Sequence, residues 1–309
     1  MKLAANYSDA TAALVQSGQV APDYIKCPAW PDLILRAQVV LPVYVHFPFL
    51  VGWGRGDALD AEAGGPPDWD KIERLLAQTG TPYVNLHLTP RIVDWPAVPV
   101  DTADSAHVEI IAQALIRDVQ AVCRRLGPER VVVENDHHNA RQHLRPGFLP
   151  SIIARVVGET GCGLLLDLGH ARISAFELGL ADRDYAAALP VGRVREIHVA
   201  GVQRLEGEWL ERLEAVDPDF AQRYAHHLLD HLPMTGDDWA LLDWAANQIR
   251  SGAWAEPWIV TLEFGGVGPL WELAGTPDEL SQEITRLRQA LSARATLHCT
   301  PEARPKAHR

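Results

Sequence analysis

Eight short apolar runs recur along the chain with helix-forming stretches between them, and this alternation limits the folds open to it more than any other feature. The runs are LAAN near residue 3, YIKCP near 24, VYVHFPF from Val43, YVNLHLTP from Tyr83, RVVVEN from Arg130, GLLLDLGH from Gly163, VREIHVAG from Val194 and WIVTLEFGG from Trp258. Most are near-continuous β-branched or leucine-rich segments, the pattern of strands covered on both faces. Helical segments are expected over Ser8–Ser17, Trp30–Ala37, Asp68–Gln78, Thr102–Leu126, Phe148–Glu159, Ser174–Ala188, Asp237–Arg250 and Pro277–Ala293. Asp68 before Trp69 and Gly80 beyond the third helix are start and stop signals. Strict strand–helix alternation implies a parallel sheet, and eight repeats imply an α/β chain closed into a single (β/α)8 TIM barrel. An open doubly wound sheet would call for a glycine-rich phosphate turn after the first strand, and AANYSDATAALV has none.

A chain of 309 residues suits one such barrel. Residues 1–299 are expected to form one metal-dependent catalytic domain and residues 300–309 a frayed tail. The formal charge of −12 argues against a surface built to hold nucleic acid. The N-terminal residues lack a signal-peptide pattern and no apolar run approaches membrane-spanning length, so the expected location is the cytoplasm, away from membranes. Cys27, Cys123, Cys162 and Cys299 are far apart and form no CxxC pair, so they read as free thiols. Val51–Pro67 and Val202–Pro233 read as loops over the catalytic mouth.

The polar ends of the strands carry the chemistry. Buried strands have no packing reason to finish in carboxylates and imidazoles, because an unpaired buried charge costs several kcal/mol, roughly, unless it is neutralised or bound. Side chains two apart on a strand point the same way. Reading back by two pairs Tyr44 with His46, Asn85 with His87, Val132 with Glu134, Leu165 with Asp167, Glu196 with His198 and Thr261 with Glu263. Six successive strands thus aim a metal-capable group at one point. Asp167 ends its strand, and a turn of chain three residues on would bring His170 back to the same cavity. Among His226, His227, Asp230 and His231, the pair Asp230 and His231 is favoured because it leads into a turn at Leu232–Pro233–Met234. The expected metal ligands are therefore His46, His87, Glu134, Asp167, His170, His198, Asp230, His231 and Glu263. Glu134 and Glu263 are the catalytic candidates, either bridging two ions or dividing metal binding from proton transfer. Lys26, as an inward cation for a substrate anion, together with Asn85 and His137 are candidate substrate contacts, whereas His107 and His143 need no function. Imidazole and carboxylate without thiolate suit iron, manganese or zinc.

The stretch TGCGLLLDLGHARISA, followed by LPVGRVREIHVAG, resembles the signature of a domain-of-unknown-function family whose characterised members are multinuclear non-haem iron-dependent oxidases. VVVEN, HLLDHLPMTGDDWALL and TLEFGG occur in that family's order, so the resemblance covers about Val131 to Gly266. More distantly, the chain is similar to the xylose-isomerase-like barrels, including sugar epimerases and endonuclease IV. The resemblance implies two or three iron ions that activate oxygen and modify cysteine-derived groups in ribosomally made peptides, often with a peptide-recognition partner protein. It implies Glu134, Asp167, His198 and Glu263 as ligands, with His46, His87, Asp230 and His231 completing the cluster. The chain departs from the family where it carries Gly169 and His170 in place of two asparagines, Val202 in place of a second histidine, and the adjacent pair Asp230-His231 in place of Asp-x-His. Two other chemistries use the same ligand types. One is a sugar or sugar-phosphate isomerase or epimerase with a single divalent ion, zinc or manganese, and Glu134 or Glu263 as proton shuttle; the other is phosphodiester cleavage of the endonuclease IV kind. The substrate is accordingly a small molecule or a peptide.

Overall fold

All eight apolar runs become strands, with two of the expected loops adding short ones of their own. In chain order the strands are β1 (Lys2–Asn6), β2 (Tyr24–Pro28), β3 (Val43–His46), β4 (Phe49–Val51), β5 (Leu59–Asp60), β6 (Val84–Leu88), β7 (Val131–Glu134), β8 (Gly163–Asp167), β9 (Val194–Val199), β10 (Gly201–Arg204), β11 (Leu228–Leu232) and β12 (Ile259–Leu262). The computed structural model describes residues 1–272 and 276–292, so Ala293, Cys299 and the expected tail at 300–309 lie outside the described residues.

Ten strands form one sheet in the order β3-β2-β1-β12-β9-β8-β7-β6-β4-β5, and β10 pairs with β11 alone. Every neighbour in the larger sheet is parallel except the short β4–β5 pair. The run expected as one third strand is split. β3 pairs with β2 and β4 pairs with β6, with only Phe47 and Pro48 between them. Proline has no N–H to offer a ladder, so a sheet must be interrupted or held by side chains there. Asn85 supplies the side chain: its Oδ1 accepts from the Phe47 N–H at 2.7 Å and its Nδ2 donates to the Phe47 carbonyl at 3.0 Å. The two ends of the strand order are thereby joined, and the sheet is a TIM barrel whose seam runs through Phe47.

The helices are α1 (Asp9–Gln16), α2 (Pro31–Gln38), α3 (Trp69–Thr79), α4 (Ser105–Leu126), α5 (Pro150–Thr160), α6 (Leu168–Leu178), α7 (Asp182–Ala188), α8 (Gly207–Glu214), α9 (Pro218–Tyr224), α10 (Gly236–Arg250), α11 (Pro269–Glu272) and α12 (Pro277–Ser292). Ser8, Asp68 and Asp104 cap α1, α3 and α4 by accepting backbone N–H bonds, as short polar residues do at helix starts. The helix expected over Ser174–Ala188 is two helices, because α6 begins directly at the end of β8 and Gly179 ends it in a left-handed conformation. Its early start has a local cause: the Asp167 carboxylate accepts the His170 N–H at 2.7 Å and so caps the helix. The segment expected as a loop over 202–233 instead holds the β10–β11 hairpin with α8 and α9. These close over a small apolar core of their own, Leu205, Leu213, Ala221, Tyr224, Leu229 and Leu232. A Cβ on Gly201 would collide with the Pro233 carbonyl, so glycine lets the two hairpin strands approach.

The main apolar core lies between the sheet and its surrounding helices. Inside the barrel the N-terminal ends of the strands are plugged by Ala4, Tyr44, Tyr83, Val132, Leu165 and Ile259. Trp258 packs edge-on against Tyr24, Tyr44 and Tyr83 with ring centroids 5.5–5.9 Å apart, a favoured aromatic geometry. With that end filled, only the C-terminal end of the barrel is left open. No described helix is long and apolar enough to cross a membrane.

Candidate metal centre

Strand register brings the polar ends to one level. His87 stands opposite Glu134, Asp167 opposite His198, and Thr261 opposite His198 from the other side. Each of these residues follows by two a side chain of the apolar plug or the layer just above it, so period-two alternation lifts the ligand candidates to the barrel's open end. The result is a continuous set of donor atoms. The His87 Nε2 lies 3.2 Å from Glu134 Oε2 and 3.4 Å from His46 Nε2, and the His198 Nδ1 lies 3.0 Å from Glu263 Oε1 and 3.9 Å from Asp167 Oδ2. Across the cavity, His170 Nε2 is 3.0 Å from Asp230 Oδ2, which is 3.8 Å from His231 Nε2.

Among the described residues, three sets of donors each have their atoms within 4.8 Å of one another: His46, Glu134 and His198; Glu134, Asp167, His198 and Glu263; and Asp136, His137 and His170. The first two share Glu134 and His198, whereas the third shares no residue with them. All nine expected ligands therefore converge. His170 is brought back by the first turn of α6, and Asp230 and His231 lie on β11, just ahead of the irregular residues 233–235 that lead into α10.

The ring nitrogens are arranged as ligands are. His87, His170 and His231 each donate Nδ1–H to a backbone carbonyl, of Phe49 at 3.2 Å, Asn135 at 2.9 Å and Glu263 at 2.9 Å, which leaves Nε2 facing the carboxylates. Backing one nitrogen with an acceptor to present the other is the usual preparation of a metal-binding imidazole. His198 is reversed, its Nε2 being 2.7 Å from Glu196 Oε1. Glu134 Oε2 and His198 Nδ1 are buried and have no hydrogen-bond partner among the described residues. A carboxylate oxygen and a ring nitrogen left bare side by side, among further carboxylates, lack a cation. The donor set therefore fits a divalent metal.

Charge in the site follows the same logic. Burial, reinforced by Lys26, His198 and His87, holds His46 well below the usual imidazole range, so it is neutral and ligand-ready. Burial also lowers His231, although Asp230 opposes it, and burial with His170 brings His137 down to about 4. His170 goes the other way: burial disfavours its charge, but Asp167, Asp230 and Glu134 outweigh this and raise it well above its ordinary value. Burial alone would push Glu134 up, yet His87, His198 and His170 bring it down to about 2. Lys26 pairs with Glu263 within the site, and its ammonium is lowered to about 8, mainly by burial, against the pull of Glu134, Glu196 and Asp167.

The open end is a cavity of about 620 Å³. His46, His87, Glu134, His170, Asp230, His231, Glu263, Lys26 and His137 all line it, while Asp167 and His198 lie beneath its floor. Its upper wall is apolar, with Leu50, Trp271, Phe220, Tyr224 and Leu229 contributed by the loops and the hairpin insert. Asn85 is corrected as a substrate contact. It is buried, and its amide is occupied by Phe47 and by His46 Nε2 at 3.0 Å, so it holds the seam and the His46 ring instead.

Sequence reasoning missed Asp136, Asn135 and Glu196. Asp136 joins His137 and His170, and its carboxylate takes the Thr89 hydroxyl and stands 3.4 Å from His143, which lines the cavity despite being read as having no function. Asn135 bonds the Asp167 N–H and carbonyl at 2.9 Å each, fixing the end of β8. The signal was present: both residues directly follow the strand-end Glu134, and Glu196 precedes His198 by two.

The chain resembles known proteins in two ways. A sequence model of the RiPP precursor modification enzyme MbnB/TglH/ChrH matches residues 95–248. Among curated relatives, a UPF0276 protein of Bordetella pertussis is 46% identical over 52 residues, 17% of this chain and 18% of that protein. A UPF0276 protein of Paraburkholderia phytofirmans is 35% identical over 94 residues, 30% of this chain and 31% of that protein. The matched segments thus span less than a third of those relatives' own length. In structure, the chain is similar to D-psicose 3-epimerase from Clostridium cellulolyticum H10, with a TM-score of 0.50 at 11% identity, covering 95% of this chain and 100% of that one. A second D-psicose 3-epimerase structure, determined with D-fructose, gives a TM-score of 0.54 at 12% identity over the same shares. At such identity the likeness shows the TIM-barrel fold and nothing finer.

Proposed function

We propose that this chain, a metal-dependent TIM-barrel enzyme that belongs to the RiPP precursor modification enzyme family MbnB/TglH/ChrH through residues 95–248, is an oxygen-activating oxidase carrying two or three iron ions. The observation that carries the proposal is the second ligand set. Glu134, Asp167, His198 and Glu263 suffice for one divalent ion, but Asp136, His137 and His170 form a separate group with Asp230 beside it. A site with two groups of oxygen and nitrogen donors and no thiolate suits iron. His46, His87, Glu134, Asp167, His198 and Glu263 would hold one part of the cluster, and His170, Asp230 and His231 with Asp136 and His137 the other. When bound, the ions would supply Lewis acidity and redox capacity for oxygen activation.

The chain's own residues do the rest. Glu263 lies against the Lys26 ammonium at the cavity wall, where the pair can hold or pass a proton at the carboxylate. The partly exposed rings of His231 and His87 face the cavity, whereas Glu134 contributes to its wall while almost wholly buried, so substrate approaches from the imidazole side. Phe220, Tyr224 and Trp271 exclude water from that approach, which strengthens the electrostatic interactions within it. The proposed substrate is a ribosomally made precursor peptide, in keeping with the family's description; that it bears a cysteine-derived group and is delivered with a peptide-recognition partner is proposed on the sequence resemblance.

Iron loading without oxygen, followed by elemental analysis and absorption spectroscopy, tests the proposal. The expected result is two or three irons per chain, and at least one fewer in His170→Ala. A single zinc or manganese ion unaffected by His170→Ala would overturn it in favour of a mononuclear isomerase or epimerase built on Glu134, Asp167, His198 and Glu263.

A further inference from the structure

Glu196 is a buried carboxylate one layer below the ligands and belongs to none of the donor groups. It precedes His198 by two residues on β9, so both side chains point into the barrel. Three hydrogen bonds converge on it: from the Tyr44 hydroxyl to Oε1 at 2.8 Å, from the Tyr83 hydroxyl to Oε2 at 2.7 Å, and from His198 Nε2 to Oε1 at 2.7 Å. The Thr261 hydroxyl stands 2.6 Å from the Tyr44 oxygen.

The direction of these bonds is fixed by proton counting. Glu196 is the acceptor for both phenol hydroxyls, so each phenol spends its single proton on it, and Tyr44 must accept from Thr261. For the same reason His198 carries hydrogen on Nε2. Its Nδ1 is then the nitrogen that faces Glu263 Oε1 at 3.0 Å, Glu134 Oε1 at 3.7 Å and Asp167 Oδ2 at 3.9 Å. His87, His170 and His231, backed by carbonyls, present Nε2; His198 is backed by a carboxylate and presents Nδ1. We infer that Glu196, held rigid by Tyr44 and Tyr83, is the positioning residue that locks His198 as the Nε2–H tautomer and selects Nδ1 as its metal-binding atom.

The two phenols have a definite part. Without them Glu196 could rotate about its side-chain torsions, and one carboxylate oxygen would be left buried with no donor. With them the carboxylate plane is pinned at both oxygens, which also aims the imidazole plane at the cavity. A carboxylate behind a ligating imidazole raises the basicity of the metal-facing nitrogen, and loss of such a partner weakens metal binding by roughly 10–100-fold. The inference rests on the metal-centre reading above but can fail separately from it.

Histidine-selective nitrogen-15 labelling and two-bond proton–nitrogen NMR of the chelator-treated full chain reads the tautomer directly, with His198→Asn to assign the signals. Cobalt(II) titration of the same protein reads metal affinity. Wild type is expected to show Nε2–H at residue 198, and Glu196→Gln to lose that fixed pattern and bind cobalt about 10–100-fold more weakly. Tyr83→Phe perturbs the same buried layer but leaves the Glu196–His198 bond, so it should retain the tautomer and stay within a few-fold of wild-type affinity. Nδ1–H in the wild type, or wild-type tautomer and affinity in Glu196→Gln, would overturn the inference. So would equal losses in Tyr83→Phe and Glu196→Gln, which would make the layer merely structural. A wild-type chain with the Nε2–H tautomer that binds no cobalt would instead sink the metal-centre reading and leave the tautomer assignment standing.

Discussion

Glu283 on α12 ties the far helix of the barrel to the chain leaving the site, and its replacement should stabilise the protein increasingly as pH rises from about 4.5 through about 7. Its Oε1 accepts the Met234 N–H at 2.6 Å, three residues beyond His231, while Oε2 is buried with no hydrogen-bond partner among the described residues. Burial is the main cause of its raised value of about 7 against an ordinary 4.5; the Met234 bond opposes the rise, and the like charges of Glu279 and Asp238 add to it. A carboxyl raised in the folded state binds its proton more tightly there than in the unfolded chain. Its favourable contribution is complete below the unfolded value and fades as pH climbs through the folded one. Converting the interval between about 7 and 4.5 gives a span of roughly 3 kcal/mol, an upper figure because the group keeps some contact with water. Glu283→Gln keeps an acceptor for Met234 and cannot ionise. Urea denaturation of variant and wild type at pH 5 and pH 8, with the same metal load, should show a difference near zero at pH 5. At pH 8 the variant should be more stable by about 2–3 kcal/mol. An equal difference at both pH values, or a less stable variant at pH 8, would refute the assignment of a buried, proton-hungry carboxyl.

Asp118 on α4 is buried and accepts the N–H groups of Gly52, Gly54 and Gly56 at 3.0, 2.9 and 2.6 Å. Asp118→Asn, which turns an acceptor into a donor, should cost about 2–3 kcal/mol and speed hydrogen exchange at residues 52–57, as measured by mass spectrometry. Asn85→Leu strips both partners from the Phe47 peptide at the barrel seam and should lower stability by about 2–4 kcal/mol in urea melts; a loss below about 1 kcal/mol would show that the seam does not depend on the amide. Burial raises the thiols of Cys27, Cys123 and Cys162 to about 12, about 12 and about 11, so native protein should leave all three unreactive toward a disulfide reagent at pH 8 and expose them only on unfolding.

The strands and the strand-end donors were legible because both obey short-range rules. A run such as GLLLD must be buried on both faces, and the two-residue period then assigns Leu165 to the plug and Asp167 to the donor layer above it, whatever the rest of the chain does. The sequence by itself therefore determined an α/β barrel and the identities of His46, His87, Glu134, Asp167, His198 and Glu263 as strand-end donors. Tertiary structure decided what depends on contacts distant in sequence. Asn85 looked like one more polar strand residue, and only the interruption at Pro48 makes it the closure of the barrel. The 202–233 segment looked like loop because its two strands are short and pair only with each other, yet that pairing carries Asp230 to His170. Likewise, which nitrogen each imidazole presents depends on the acceptor behind it: Phe49, Asn135 and Glu263 carbonyls for three rings, the Glu196 carboxylate for His198. Sequence period sets the direction a side chain takes from its own strand; hydrogen-bond partners from other strands set which atom it offers, and those partners exist only once the barrel has closed.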